Sequence, residues 1–85
     1  AETDALEREL ALIKVVNDGE NRLEAMRLSD IFRARALDTT HTSFVFEITG
    51  AREKINAFID LMKPLGLSEV SRTGVLSIRR GVERD

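Results

Sequence analysis

Few residues of this chain are of a type and spacing that could carry out a reaction. His41 is the sole histidine and there is no cysteine, so a metal would have to be held by one imidazole without a thiolate or a second histidine at ligand spacing. His41 lies between Thr40 and Thr42 and reads as a surface loop residue. Serine, histidine and aspartate all occur, yet no serine sits in the glycine-flanked elbow that a hydrolytic nucleophile needs. Two acidic pairs, Glu7 with Glu9 and Glu24 with Asp30, are more simply solvated charges than an acid and a base of divided pKa. The glycines at 19, 50, 66, 74 and 81 fall at element ends, and none opens a phosphate-cradling loop. The reading at this point is a chain with no catalytic, cofactor-binding or metal-binding residues of its own.

What remains are residues suited to contact. Arg79 and Arg80 form a small basic pair after the last apolar run, and with Arg84 they could dock an acidic partner surface or an anion; Arg72, Arg79 and Arg80 are the candidate contacts to a partner. With 13 basic against 15 acidic residues the chain has a net charge of −2, which argues against a nucleic-acid face. No apolar run approaches the roughly 20 residues of a membrane helix, and the first residues lack the basic-then-apolar order of a signal peptide. With hydrophobic residues at 42% and charged residues at 33%, the expectation is a globular protein of the cytoplasm.

The elements that must position these residues are written in the apolar periodicity. Leu10 to Val16, interrupted only by Lys14, predicts a central strand apolar on both sides. Asn17, Asp18 and Gly19 supply a turn and a possible cap for a helix whose buried stripe is Ala25, Leu28, Ile31 and Phe32. Arg35 to Thr39 reads as a second strand, and Ser43 to Thr49 as a third, with Phe44, Phe46 and Ile48 on one face. Ile55, Phe58, Ile59 and Met62 mark the second helix, which Pro64 and Gly66 end. Leu67 to Arg72 is a fourth strand; Thr73 and Gly74 then make either a tight turn or a bulge before Val75 to Ile78. Strand, helix, strand, strand, helix, strand is the order of an α+β ferredoxin-like βαββαβ sandwich, an antiparallel sheet with both helices on one face.

That architecture leaves one sheet face open, while the first strand carries two apolar sets, Leu10 with Leu12 and Ala11 with Ile13 and Val15. One set lacks an internal partner. In a chain of 85 residues, which buries only roughly 60–65% of its unfolded surface, exposing several such side chains forfeits a few kcal/mol. The expectation is that another chain covers the open face or an edge, with Ala11, Ile13 and Val15 as its interface residues.

Five stretches, taken in order, resemble the C-terminal domain of the small, regulatory subunit of acetolactate synthase (acetohydroxyacid synthase). They are RELALIKV from Arg8 to Val15, IFRARALD from Ile31 to Asp38, EITG from Glu47 to Gly50, KINAFIDLMKPLG from Lys54 to Gly66, and EVSRTGVLSIRRG from Glu69 to Gly81. The resemblance implies a non-catalytic subunit of the enzyme that makes acetolactate or acetohydroxybutyrate in branched-chain amino-acid biosynthesis. Thiamine diphosphate, Mg²⁺ and FAD are then cofactors of the large catalytic subunit, which is the implied partner, and a homodimer or higher homo-oligomer is implied as well. In the family the inhibitor, usually valine, binds mainly at the interface of an N-terminal ACT domain. No such domain is matched here, so no inhibitor-contacting residue carries over. On this reading residues 1–7 are a linker from an ACT domain, 8–81 the C-terminal domain and 82–85 a tail; the opening at Ala1 rather than Met fits a piece of a longer protein. The competing reading is a free-standing ACT-like sensor that binds an amino acid between ferredoxin-like protomers.

Overall fold

A computed structural model describes residues 5–81. Its element order is β1 (Ala5–Val16), α1 (Asn21–Ile31), β2 (Arg35–Thr39), β3 (Ser43–Gly50), α2 (Arg52–Met62), a 3₁₀ turn (Lys63–Leu65), β4 (Leu67–Arg72) and β5 (Leu76–Arg79). The sheet runs β2-β3-β1-β4, every pairing antiparallel, with β5 also paired to β1. The ferredoxin-like order expected from the sequence is therefore the order observed.

The core forms because period-two and period-3.6 apolar sets meet on one side of the sheet. Ala11, Ile13 and Val15 of β1 lie beside Ile48, Phe46 and Phe44 of β3 in register, and Ala25, Leu28, Ile55, Phe58 and Met62 close over them from the helices. Phe58 stands edge-on to Phe46 at 6.0 Å and tilted to Phe32 at 5.3 Å, and Phe44 stacks on Phe46 at 5.2 Å, arrangements that aromatic quadrupoles favour. The stripe of α2 is the one the sequence indicates. That of α1 is shorter: Ile31 is 59% exposed, because the helix ends there and Arg33, with φ 58°, turns the chain away. No side chain caps α1; instead the Asn17 side chain accepts the Gly19 N–H at 2.8 Å and donates to the Leu65 carbonyl at 2.9 Å. Arg22 braces the same corner, donating to the carbonyls of Asn17 and His41 while lying 4.2 Å over the Phe44 ring.

Gly66 is required where it stands. Its φ is 108°, and a Cβ there would come within 2.2 Å of the Val16 carbonyl oxygen, the place where the Val16 N–H bonds the Gly66 carbonyl at 2.8 Å. No residue with a side chain fits such an approach.

β1 is longer than the sequence suggests. It starts at Ala5 rather than Leu10, so Ala5, Leu6 and Glu7, expected in a linker, are strand; residues 1–4, and the tail at 82–85, lie outside the described part. The first part of β1 leaves the sandwich and pairs only with β5, Ala5 opposite Arg79 through Arg8 opposite Leu76. This two-stranded arm helps draw the molecule out to 57 × 17 × 16 Å. The choice between hairpin and kinked strand is settled in favour of the kink: β4 and β5 succeed one another along β1, both antiparallel to it. Between Ala11 opposite Arg72 and Arg8 opposite Leu76 the register slips by one residue, a bulge. In an unbroken strand Leu76 and Ile78 would share the helix side with Arg72. The extra residue transfers them to the opposite side, beside Leu6 and Arg8.

Candidate interaction surface

The residues available for contact follow from which set of β1 the helices take. They take Ala11, Ile13 and Val15, each fully buried. These three therefore do not form the open surface expected of them: the side chains that cover them belong to α1 and α2 of the same chain. The other set, Leu10, Leu12, Lys14 and Val16, faces outward, paired with Thr49, Glu47, Val45 and Ser43 of β3. Leu12 is 38% exposed and Val16 47%, so β1 is central in the sheet but covered on one side only. Both sets are apolar in sequence, which left the choice open. Ala11, Ile13 and Val15 went inward, where they pack against the helices, and the set that carries Lys14 went outward.

A shallow depression on this face is lined by Leu12, Lys14, Val45, Glu69 and Ser71. Charges of both signs surround it, including Arg35 near Glu47 at 3.8 Å. A second apolar strip continues along the arm, where Leu6, Leu76 and Ile78 share a side with Arg8. Leu76 is 73% and Ile78 69% exposed, values far from those of a strand packed on its own core. The period of two gives no hint of this side, because only the bulge after Arg72 creates it.

Arg72, proposed as a partner contact, is engaged within the chain. Its Nε and Nη2 donate to both oxygens of Glu9 at 2.9 and 2.6 Å, and its Nη1 donates to Asn56 Oδ1 at 2.7 Å. Glu9 is only 5% exposed, which corrects its reading as a solvated charge. Its carboxylate also accepts the Gly74 N–H at 3.2 Å. The paired Arg72 hydrogen bonds hold the Glu9 carboxyl below the usual carboxylate range; burial works against this, while the Arg72 charge, the Gly74 bond and the positive charge of Arg52 work with it. The partner stands 63 positions away, and no local pattern in the sequence points to it. Glu24, by contrast, makes an exposed pair with Arg27 at 2.6 Å. Arg79 ends β5 and Arg80 follows it, both exposed at the far end of the arm; Arg79 stands opposite Ala5 and Arg72 opposite Ala11, six residues apart along β1, ~20 Å in an extended strand. The three arginines thus do not form one patch. Among the described residues no group of three or more His, Asp or Glu could hold a metal ion, and no helix is long and apolar enough to cross a membrane.

A family model for the C-terminal part of the small subunit of acetolactate synthase matches residues 8–81. The chain belongs to the acetolactate synthase small-subunit family. A probable acetolactate synthase small subunit of Archaeoglobus fulgidus is 47% identical over 77 residues, 91% of this chain and 48% of that protein. The acetolactate synthase small subunit of Aquifex aeolicus is 45% identical over 76 residues, 88% of this chain and 40% of that protein. The crystal structure of the acetolactate synthase small subunit from Thermotoga maritima superposes with a TM-score of 0.88 at 38% identity, covering 95% of this chain and 50% of that one. The chain thus spans about half the length of the small subunits it matches, and the similarity extends through the arm as well as the sandwich.

Proposed function

We propose that this domain is a non-catalytic assembly and coupling module of an acetolactate synthase regulatory subunit. It self-associates through the open sheet face and arm, and in that assembled state it helps pass the ligand state of the regulatory subunit to the large catalytic subunit. Thiamine diphosphate, Mg²⁺ and FAD belong, in this reading, to the large subunit, and the holoenzyme works in the cytoplasm.

The observation that carries the reading is the unpartnered apolar strip along β1, from Leu6 through Leu10 and Leu12 to Val16, widened by Val45, Leu76 and Ile78. The face is of adequate size. Strands ~4.8 Å apart and ~3.4 Å per residue give a sheet face of ~500 Å², and the arm adds ~130 Å². Two copies would together bury ~1,200 Å², the lower bound of stable interfaces. A second copy suits it better than a uniformly charged partner, since Lys14 and Arg35 stand beside Glu47, Glu69 and Asp38 on the same surface and can be matched by the same set in reverse.

Sedimentation equilibrium on the 85-residue chain tests the assembly. A dimer or larger species is expected at concentrations on the order of tens of micromolar, and Leu12→Lys should dissociate it while leaving the circular dichroism unchanged. A strict monomer in the unsubstituted chain would refute self-association. For the coupling, Leu12→Lys placed in the full small subunit should reduce feedback inhibition of the reconstituted enzyme; inhibition at the unsubstituted level would refute it.

A further inference from the structure

The polar cluster around Glu9 stands where β1 changes partners, and its geometry exceeds what holding one salt bridge requires. On the sandwich side Arg72 is the last residue of β4, and on the arm side the bulge leads through Gly74 to β5. Little packing supports this junction. A Cβ built on Gly74, with φ 84°, would meet nothing within 4 Å, and Leu76 and Ile78 beyond it are largely exposed. What the junction has instead is hydrogen bonds. Thr73 exchanges them with the backbone of Leu10, its N–H donating to the Leu10 carbonyl at 3.0 Å and its hydroxyl accepting the Leu10 N–H at 3.1 Å. The Glu9 carboxylate then reaches both ways, to the Arg72 fork before the bulge and the Gly74 N–H within it. The third contact of Arg72 leaves the sheet altogether and ends on Asn56 in α2.

We propose that Glu9, Arg72 and Asn56 form a clasp that ties the attitude of the arm to helix α2, so that a displacement of α2 is felt at Leu76 and Ile78. The chemistry of the parts fits the task. A planar guanidinium presents its donors in a rigid fork, so the pair engaging Glu9 fixes the direction in which the remaining Nη1 meets Asn56. A lysine in its place would offer a point charge with no fixed angle. Burial of Glu9 strengthens the bonds and raises the cost of leaving its carboxylate unmatched, which makes the clasp more a switch between made and broken than a soft spring. The proposal concerns a single chain and does not depend on the assembly reading.

Hydrogen exchange followed residue by residue on the 85-residue chain tests it, with two substitutions that cut different links. Glu9→Gln removes the charge that engages both Arg72 and Gly74. Asn56→Ala leaves that ion pair intact and removes only the link to α2, at an exposed position where folding is not at risk. The expected result for Glu9→Gln is a rise of about tenfold or more in exchange at the arm amides of residues 5–8 and 76–79, with the amides of residues 12–15 and 44–48 unchanged. For Asn56→Ala a smaller rise, about threefold, is expected at the same arm amides. An arm unaffected by Asn56→Ala would overturn the proposal, because α2 would then have no hold on it. A uniform acceleration over the whole chain in either variant would also overturn it, since the residues would then serve stability alone.

Discussion

Ile13→Ala against Leu12→Ala is the sharpest test of the side of β1 that faces the helices. Ile13 is fully buried and Leu12 is 38% exposed on the opposite face. Truncating Ile13 removes three carbons, about 2.5 kcal/mol of transfer free energy. The void of roughly 80 Å³ adds about 2 kcal/mol if the surrounding core, with Phe46 beside Ile13 in register, does not collapse. The expected loss is therefore about 4 kcal/mol, a large share of the roughly 4–13 kcal/mol available to a chain of this size. In a thermal melt that corresponds to a fall of about 15–30 °C. Leu12→Ala loses at most about 1.5 kcal/mol, because part of the side chain is already in water and no enclosed void forms. Thermal and urea unfolding followed by circular dichroism, at low micromolar concentration so that association contributes little, measures both. If Leu12→Ala proved as damaging as Ile13→Ala, the assignment of the core face would be wrong, and with it the open surface on which the functional proposal stands.

Three further outcomes are expected. Because the Glu9 carboxyl titrates lower in the folded chain than the value of about 4.3 for an unfolded glutamate, its contribution is fully present above that value and is lost as pH falls toward the native one; the stability gap between the unsubstituted chain and Glu9→Gln should therefore be constant near neutrality and close on acidification, and a gap that widened instead would reverse the sign of the argument. Gly66→Ala, whose Cβ would meet the Val16 carbonyl oxygen at 2.2 Å, should cost on the order of 2–4 kcal/mol in urea titration, whereas Gly74→Ala, with open space around it, should cost only about 1 kcal/mol of backbone strain. Asn17→Ala, which frees the Leu65 carbonyl and the Gly19 N–H, should lower stability by about 1–2 kcal/mol, and Asn17→Asp, which keeps the acceptor but not the donor, should recover part of it.

The elements most legible in the sequence are those whose apolar period is unambiguous. Phe44, Phe46 and Ile48 alternate cleanly and are buried; Ile55, Phe58 and Met62 follow a helical stripe and are buried as well. Where two readings fit one stretch, local pattern could not choose. β1 is apolar on both sides, and only the docking of two helices, a long-range event, decides that Ala11, Ile13 and Val15 turn inward. Glu9 looked solvated because a charge reveals its burial only through its partner, and Arg72 reaches it across nearly the whole chain. The arm escaped notice for a further reason: its side-chain alternation is continuous in β1 but inverted in its partner, and a one-residue slip leaves no trace in composition.

That slip gives the stretch between Arg72 and Leu76 an unusual sensitivity to count rather than to kind. Most substitutions at Val75 leave the parity of the downstream residues untouched. Deleting one residue there obliges the remaining chain either to stay opposite Arg8 on a straightened path, giving up the loop that meets the Glu9 carboxylate, or to keep that loop and turn Leu76 and Ile78 to the reverse side of the ribbon. Homologous chains that use the arm in the same way should therefore hold the length of this segment constant, with Val75 the position freest to vary.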